Sequence, residues 1–509
     1  MSALALAMKK AGHTVTGSDV GIYPPISTYL KESGVDYYTG WHPEKMETPD
    51  LAVVGNVAGS TNPEWLYVQE NKIPYKSYPE IIAEYFVKEN SIVCAGTYGK
   101  TSTTALLTWI LKQAKLDPTY MFGGISLNDI PAADLTDSLV ENPSTKLRTS
   151  YSILEGDEYK SARWDERAKF FHYHPTHLLL TSCQWDHADV YPTEESYFDA
   201  FKELLKSLPE NGLLVASEKI DKDIVTLSHC HIVTYGQSDG VDYKYSNVNS
   251  TKDGLEFQIQ ISTHRASVSS ENFKFQIKAQ VLGDYMADNM TGAFAMAHQL
   301  GIEPEVITKA LESFKNIKRR LEKKHDGDVV VFDDIAHSPD KAKSVLETLR
   351  HIYFETSKTS EKSFEASNSE PQKSNVLQNI DPSKDSSSPD LVGINRNKLV
   401  AIFEPNSGNR QPESIPGYDN VFINADEVII PCLTRIKSDP NKPAPIDGEK
   451  LAEIISKTHD NVKYINDDEE LISYLAKNAS DGDVIIFLGS HGFRGMIGEL
   501  VATLSLRGV

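Results

Sequence analysis

Ser91-Ile-Val-Cys94-Ala-Gly96-Thr-Tyr-Gly99-Lys100-Thr101-Ser-Thr-Thr104 runs from four apolar residues into a loop with two glycines and a Gly-Lys-Thr. Residues Thr101–Lys115 then read as a helix, with Leu106, Trp109, Ile110 and Ala114 on one face. Strand, glycine loop and helix in that order form an anion site, because backbone N–H groups at the helix start converge on a phosphate. Lys100 would neutralise phosphate oxygens, and the Thr101 hydroxyl would ligate Mg²⁺. The loop departs from the commonest phosphate-loop spacing. Cys94 stands where the first glycine belongs, and Gly96 is the only glycine before Gly99. A helix cap with an exposed lysine is the bland alternative, and the flanking strand and helix weigh against it.

The rest of the chain sets bounds on that loop. A length of 509 residues exceeds what one hydrophobic core organises and suggests about three domains. A net charge of −21 argues against nucleic acid as a partner, while leaving small anions open. Cys94, Cys183, Cys230 and Cys432 form no C-x-x-C pair and read as reduced thiols of a cytoplasmic protein. No apolar run approaches the roughly 18 residues of a membrane span, and Ser2–Met8 lacks the cationic flank of a signal peptide.

Outward from the loop, strands alternate with helices. Residues 1–88 read as a small Rossmann-like α/β domain that opens on a helix, as though its first strand were lacking. Residues 89–317 carry further strands at Tyr151–Leu154, His177–Thr181, Leu213–Ala216 and Ile232–Thr234, implying a mainly parallel sheet. Leu255–Ile261 and Phe273–Ala279 alternate with period two, as an appended antiparallel pair. Residues 318–509 repeat an α/β pattern, with strands at Asp328–Phe332, Lys398–Phe403, Glu427–Ile430 and Asp483–Leu488. Residues 356–392, polar and poor in apolar side chains, read as a disordered insertion.

Polar clusters fall at strand ends, where a parallel sheet presents ligand-binding residues. Glu155-Gly-Asp157-Glu158 suits Mg²⁺, but taken alone it reads more readily as an acidic, solvated turn. His187, in Trp185-Asp186-His187-Ala-Asp189, is a metal ligand or a plain loop histidine. Arg319-Arg320 sits at the second domain boundary, and Asp333-Asp334-Ile-Ala-His337 ends the next strand. A cation at that boundary could reach a γ-phosphate on closure, or be a solvated linker.

Together these motifs resemble the Mur ligase family of ATP-dependent amide-forming enzymes. Gly96–Ser102 matches the family loop G-T-x-G-K-T-[ST], which makes Gly96 the first required glycine and Cys94 a strand residue. Glu155–Glu158 is similar to its E-A-D-E motif, Asp186-His187 to D-H, Arg319-Arg320 to R-R and Asp334–Pro339 to D-Y-A-H-H-P. Gly17–Ser27, Asp165–Tyr173, Trp185–Tyr191 and Phe403-Glu-Pro405 resemble the branch that joins UDP-N-acetylmuramate to L-alanyl-γ-D-glutamyl-meso-diaminopimelate in cell-wall recycling.

The resemblance implies three domains, for the UDP-sugar, ATP and the incoming amine. It implies an acyl phosphate formed from the acid and ATP, then displaced by the amine. Lys100, Glu155, His187 and Arg320 would be catalytic. Gly96, Thr97, Gly99, Lys100, Thr101, Ser102, Asn289, Arg320, Asp334 and His337 would hold ATP, and Thr101, Glu155 and His187 the Mg²⁺. Asp19 and Asn56 would meet the UDP-sugar, and Ser407, Asn409, Ser490 and His491 the peptide. A monomer acting on small molecules, with neither nucleic acid nor membrane as a partner, is expected.

Three departures bear on this. Tyr285 and Met286 stand where the family has polar residues before Asn289, and Gln184 where it often has Glu. Asn406 replaces an arginine suited to a diaminopimelate carboxylate. Lys202 has the spacing of a lysine that some relatives carbamoylate, although an exposed lysine on an amphipathic helix at 196–207 is the preferred reading. A ligase for a single amino acid such as L-alanine, and a catalytically weak nucleotide-binding relative, are the alternatives.

Overall fold

A computed structural model describes residues 1–22, 26–56, 58–137, 139–141, 148–185, 190–191, 193–262, 273–355, 397–434 and 445–506. His187 and the insertion expected at 356–392 lie outside them. The chain divides into two compact units, Met1–Lys318 and Arg319–Val509.

The first unit opens with α1 (Ser2–Lys10), β1 (Thr16–Asp19), α2 (Ile26–Glu32), β2 (Asp36–Thr39), β3 (Ala52–Val54), α3 (Pro63–Glu70), β4 (Tyr75–Ser77) and α4 (Tyr78–Tyr85). β1 pairs with β2 and β3 with β4, both parallel. α4 starts at a capping box, in which Ser77 accepts from the Glu80 N–H and Glu80 reaches back to the Ser77 N–H.

β5 (Asn90–Ala95) and α5 (Lys100–Gln113) follow, with the quoted loop between them. Then come β6 (Thr119–Met121), β7 (Ala133–Asp134), the short pair β8 (Val140–Glu141) and β9 (Arg148–Thr149), β10 (Tyr151–Gly156), and a hairpin of β11 (Lys160–Ala162) and β12 (Asp165–Ala168). β13 (His177–Leu180), α6 (Glu194–Lys206), β14 (Leu213–Ser217), α7 (Lys222–Val225), β15 (His231–Gly236), β16 (Tyr243–Thr251), β17 (Gly254–Ile261), β18 (Phe273–Ala279), α8 (Tyr285–Gln299) and α9 (Pro304–Glu312) complete the unit.

Among the described residues one ten-stranded sheet runs β18-β17-β16-β15-β14-β13-β5-β10-β6-β7. It is parallel from β16 to β6, with β17 and β18 added antiparallel as expected. Sequence reading missed β16, which is polar on one side and turns Tyr243 and Tyr245 inward. β5 is central, so Ile92, Val93, Cys94 and Ala95 are fully buried and read as an uninterrupted apolar run. α5 buries Leu106, Leu107, Ile110 and Leu111 in one core with Met290, Ala293 and Phe294 of α8. At about 25 cal/mol per Å², each such side chain contributes roughly 1.5–3 kcal/mol, and that packing fixes the loop's exit.

The second unit holds β19 (Glu322–Asp326), β20 (Val330–Asp334), α10 (Pro339–Arg350), β21 (Leu399–Glu404), β22 (Glu427–Pro431), α11 (Gly448–Ile455), β23 (Val462–Ile465), α12 (Asp468–Asn478), β24 (Val484–Gly489) and α13 (Met496–Ser505). The sheet order is β19-β20-β24-β21-β22-β23, parallel except for β19 at the edge. β19 reads Glu-Lys-Lys-His-Asp, and charge of that kind on an edge strand hides it from pattern reading. β20 begins two residues later than expected, so Asp333 and Asp334 are buried strand residues.

Candidate active site

Gly96 follows β5 at φ +134, and a Cβ there would lie 2.4 Å from the Thr181 hydroxyl and 2.8 Å from the Ser182 backbone. Only glycine lets the loop pass this close to the end of β13. The Thr181 hydroxyl donates to the Tyr98 carbonyl (2.5 Å) and lies 3.1 Å from that of Ala95, and Ser182 Oγ accepts from the Tyr98 N–H at 2.9 Å. Gly99, at φ +84, precedes α5, and a Cβ there would come 2.5 Å from Asn289 Oδ1. The start of α8 therefore abuts the loop through Asn289, whose amide nitrogen is 3.8 Å from Met286 Sδ.

Lys100 Nζ donates to the carbonyls of Gly96 (2.7 Å) and Thr97 (3.3 Å) and lies 2.9 Å from Glu158 Oε2. Burial opposes its charge, but Glu158, Asp157 and Glu155 outweigh that and raise its pKa. Thr101 donates to Glu155 Oε1 at 2.7 Å, and the Gly123 N–H donates to Glu155 Oε2 at 2.6 Å. Burial pushes the Glu155 carboxyl up, against those two donors and Lys100. Burial also acts on Asp157, but Lys169, at 2.5 Å, and Lys100 prevail and hold its carboxyl below the usual range.

Several expected residues meet here and others do not. Gly96, Gly99, Lys100, Thr101, Glu155 and Asn289 converge, with Ser102 buried in the first turn of α5. The Thr97 hydroxyl is engaged elsewhere. It donates to the Gln184 carbonyl at 2.7 Å, accepts from the Gln184 N–H at 2.8 Å and lies 2.8 Å from the Tyr197 hydroxyl. Asn56, after β3, donates to the Lys160 carbonyl at 3.4 Å and, with Glu155, lines a cavity of about 260 Å³. Asp19 closes on the N–H of Val20. Lys202 pairs with Asp199 at 2.8 Å on the exposed side of α6.

In the second unit Arg319 is fixed by Asp333 (3.2 Å) and by the carbonyls of Gly489, Ser490 and His491 (2.5–3.0 Å). The Ser490 and His491 side chains lie 3.1 Å apart. Asp334 accepts from the N–H groups of Leu321 (2.7 Å) and Ala336 (2.8 Å); burial raises its carboxyl against the pull of Arg320. His337 Nδ1 donates to the Ile335 carbonyl at 2.7 Å. Asn406 Oδ1 accepts from the Asn409 N–H (3.0 Å) and side-chain amide (2.8 Å), and Ser407 precedes the short turn Gly408–Arg410 without a side-chain capping bond.

Sequence reading missed the Thr181–Ser182 brace, the Lys100–Glu158 pair and Lys169. The available signal was position, since Thr181 and Ser182 directly follow a strand and Glu158 follows Glu155 by three. Among the described residues no group of three or more His, Cys, Asp and Glu side chains could hold a metal ion. Thr101 Oγ1 and Glu155 Oε1 do present two hard oxygens side by side at the loop, a donor set that fits Mg²⁺.

A glycine-braced phosphate loop on the central strand of a parallel sheet defines a nucleotide-binding α/β protein. Residues 94–297 match the Mur ligase middle domain, and residues 1–88 the domain described as Mur ligase family, catalytic domain. The UDP-N-acetylmuramate--L-alanyl-gamma-D-glutamyl-meso-2,6-diaminoheptandioate ligase of Haemophilus influenzae is 34% identical over 355 residues, 69% of this chain and 74% of that protein. The UDP-N-acetylmuramate--L-alanine ligase of Dictyoglomus turgidum is 32% identical over 357 residues, 69% of this chain and 70% of that protein. The crystal structure of a murein peptide ligase from Psychrobacter arcticus shares the fold at a TM-score of 0.67 and 24% identity, covering 99% of this chain and 96% of that one. The chain belongs to the Mur ligase family, and it is an ATP-dependent, ADP-forming ligase. Among the described residues no helix is long and apolar enough to cross a membrane.

Proposed function

We propose that the chain joins the lactyl carboxylate of UDP-N-acetylmuramate to a short peptide, L-alanyl-γ-D-glutamyl-meso-diaminopimelate, in peptidoglycan recycling. The carrying observation is the meeting of Lys100, Thr101, Glu155 and Glu158 at the loop, in a chain 34% identical to a ligase named for those substrates. A carboxylate oxygen attacks the γ-phosphorus of ATP, ADP leaves and an acyl phosphate forms. The peptide's amino nitrogen then attacks the acyl carbon, phosphate leaves and the nitrogen loses a proton. Lys100 and the loop N–H groups of Gly96–Ser102 stabilise charge on the phosphoryl oxygens.

Thr101 and Glu155, with His187, would hold Mg²⁺, which supplies charge neutralisation on ATP. Asn289, Arg320, Asp334 and His337 are assigned to the nucleotide by correspondence, Asp19 and Asn56 to the UDP-sugar, and Ser407, Asn409, Ser490 and His491 to the peptide. Residues 1–88, 89–317 and 318–509 serve the three substrates in that order. A cytoplasmic location fits the need for ATP.

Phosphate release from ATP, measured with UDP-N-acetylmuramate plus either the tripeptide or single amino acids, tests this. Stimulation by the tripeptide is expected. Stimulation by L-alanine alone would favour the second reading, which the 32% identity to an L-alanine ligase supports. No stimulation by any pair would leave a nucleotide-binding relative without ligase activity.

A further inference from the structure

The cavity of about 260 Å³ lies wholly within the first unit, and Glu155 in its wall hydrogen-bonds to Thr101 of the phosphate loop. Asn56, Tyr78, Met121, Glu155, Asp157 and Lys169 are among its lining residues. Gly55 and Asn56 of the loop after β3 share the wall with Glu155, which accepts from Thr101 of the loop at 2.7 Å. An acid in this space would lie one side chain away from the loop where a phosphoryl group would sit.

Two side chains in its wall have donor capacity left over. Lys169 is the one lysine or arginine among the described residues lining the cavity. Its position is fixed, because its backbone N–H donates to the Tyr159 carbonyl at 3.0 Å, at the base of the β11–β12 hairpin. Its side chain is 13% exposed, and one of its three N–H bonds goes to Asp157 Oδ2 at 2.5 Å. Tyr78, the first residue of α4, points its hydroxyl at Met121 Sδ, 2.9 Å away. A thioether is a weak acceptor, so this phenol would gain from a better one.

Beside Lys169 an anion would share the ammonium with Asp157, whereas beside Glu155 it would meet a carboxylate whose two oxygens already accept from Thr101 and the Gly123 N–H.

We infer that Lys169, assisted by the Tyr78 hydroxyl, binds the carboxylate of the acid substrate and holds it toward the phosphate loop. This rests on the proposed function, which makes that acid UDP-N-acetylmuramate. Calorimetric titration of the whole protein with UDP-N-acetylmuramate and with UDP-N-acetylglucosamine, the same nucleotide sugar without the lactyl acid, isolates the carboxylate. Wild type should prefer the acid. Lys169→Met should weaken the acid by roughly 10- to 100-fold, the range of a charge-assisted hydrogen bond, and change the second ligand less than twofold. Lys169→Arg should recover part of the loss. Tyr78→Phe, which keeps the ring and its packing, should weaken the acid alone by several-fold.

Equal weakening of both ligands by Lys169→Met would mean a structural role for the hairpin base and overturn the assignment. Undiminished preference for the acid in Lys169→Met would overturn it too, while leaving the proposed function standing. A wild type that binds neither ligand, or binds both alike, would remove the acid-binding part of the proposed function and this assignment with it.

Discussion

Replacing Lys100 by methionine separates what the loop lysine does for folding from what it does for ATP. Its ammonium lies 2.9 Å from Glu158 Oε2, and the two side chains are 14% and 1% exposed. Methionine keeps much of the stem and removes the charge, leaving a carboxylate almost wholly out of water. Breaking a buried pair from one side costs about 3–5 kcal/mol. A ceiling exists, because a carboxyl can take up a proton instead. For an ordinary glutamate, with a solution pKa of about 4.3, that costs about 3.7 kcal/mol at pH 7. The expected loss is thus about 3–4 kcal/mol. With about 2.1 cal/mol/K per residue, the first unit of Met1–Lys318 unfolds with an entropy near 0.7 kcal/mol/K, so Tm should fall by about 5 °C. Scanning calorimetry measures it. Adding Glu158→Gln removes the carboxylate that faced Lys100, and the double variant should regain much of that Tm while its ATP turnover stays abolished. A single variant with unchanged Tm, or a double variant no more stable than the single, would refute the reasoning.

Gly99→Ala should weaken ATP binding at least tenfold in titration, since the residue sits at φ +84 and its new Cβ would press on Asn289 Oδ1 at 2.5 Å. Burial lowers the His177 imidazole from 6.5 to about 4, so the folded state excludes a proton that the unfolded state binds. That stabilising contribution is complete above pH 6.5 and is lost as pH falls toward 4, by about 3 kcal/mol in all. Denaturant midpoints of His177→Gln should flatten in that window. Arg319→Ala should lower the stability of the second unit by more than 2 kcal/mol, because it strands Asp333 and three carbonyls. Arg320→Ala should reduce ATP turnover, read in the same phosphate-release assay.

Much of the fold was legible because it rests on local patterns. An apolar run before Gly96 and a helical face after Lys100 specify the strand and helix around the loop wherever they occur. The period-two segments that became β17 and β18 likewise carry their pairing in their own alternation. β19 was not legible, since a charged edge strand buries too little to leave a pattern, and the three- and four-residue strands of the β11–β12 hairpin are too short to show one.

By itself, the sequence determined that residues 94–104 form a phosphate loop and that carboxylates follow the strand beginning at Tyr151. Only the tertiary structure decided which of them meet the loop, because contacts between strands 50 or more residues apart depend on sheet order and not on spacing. Parallel pairing of β10 with β5 sets Glu155 opposite Cys94, which delivers Glu155 to Thr101 and Glu158 to Lys100. Pairing of β13 on the other side of β5 brings Thr181 against Gly96, where nothing larger than a glycine hydrogen fits. The same sheet order decided that Arg319, adjacent to Arg320 and indistinguishable from it in sequence, is consumed by the second unit's own backbone.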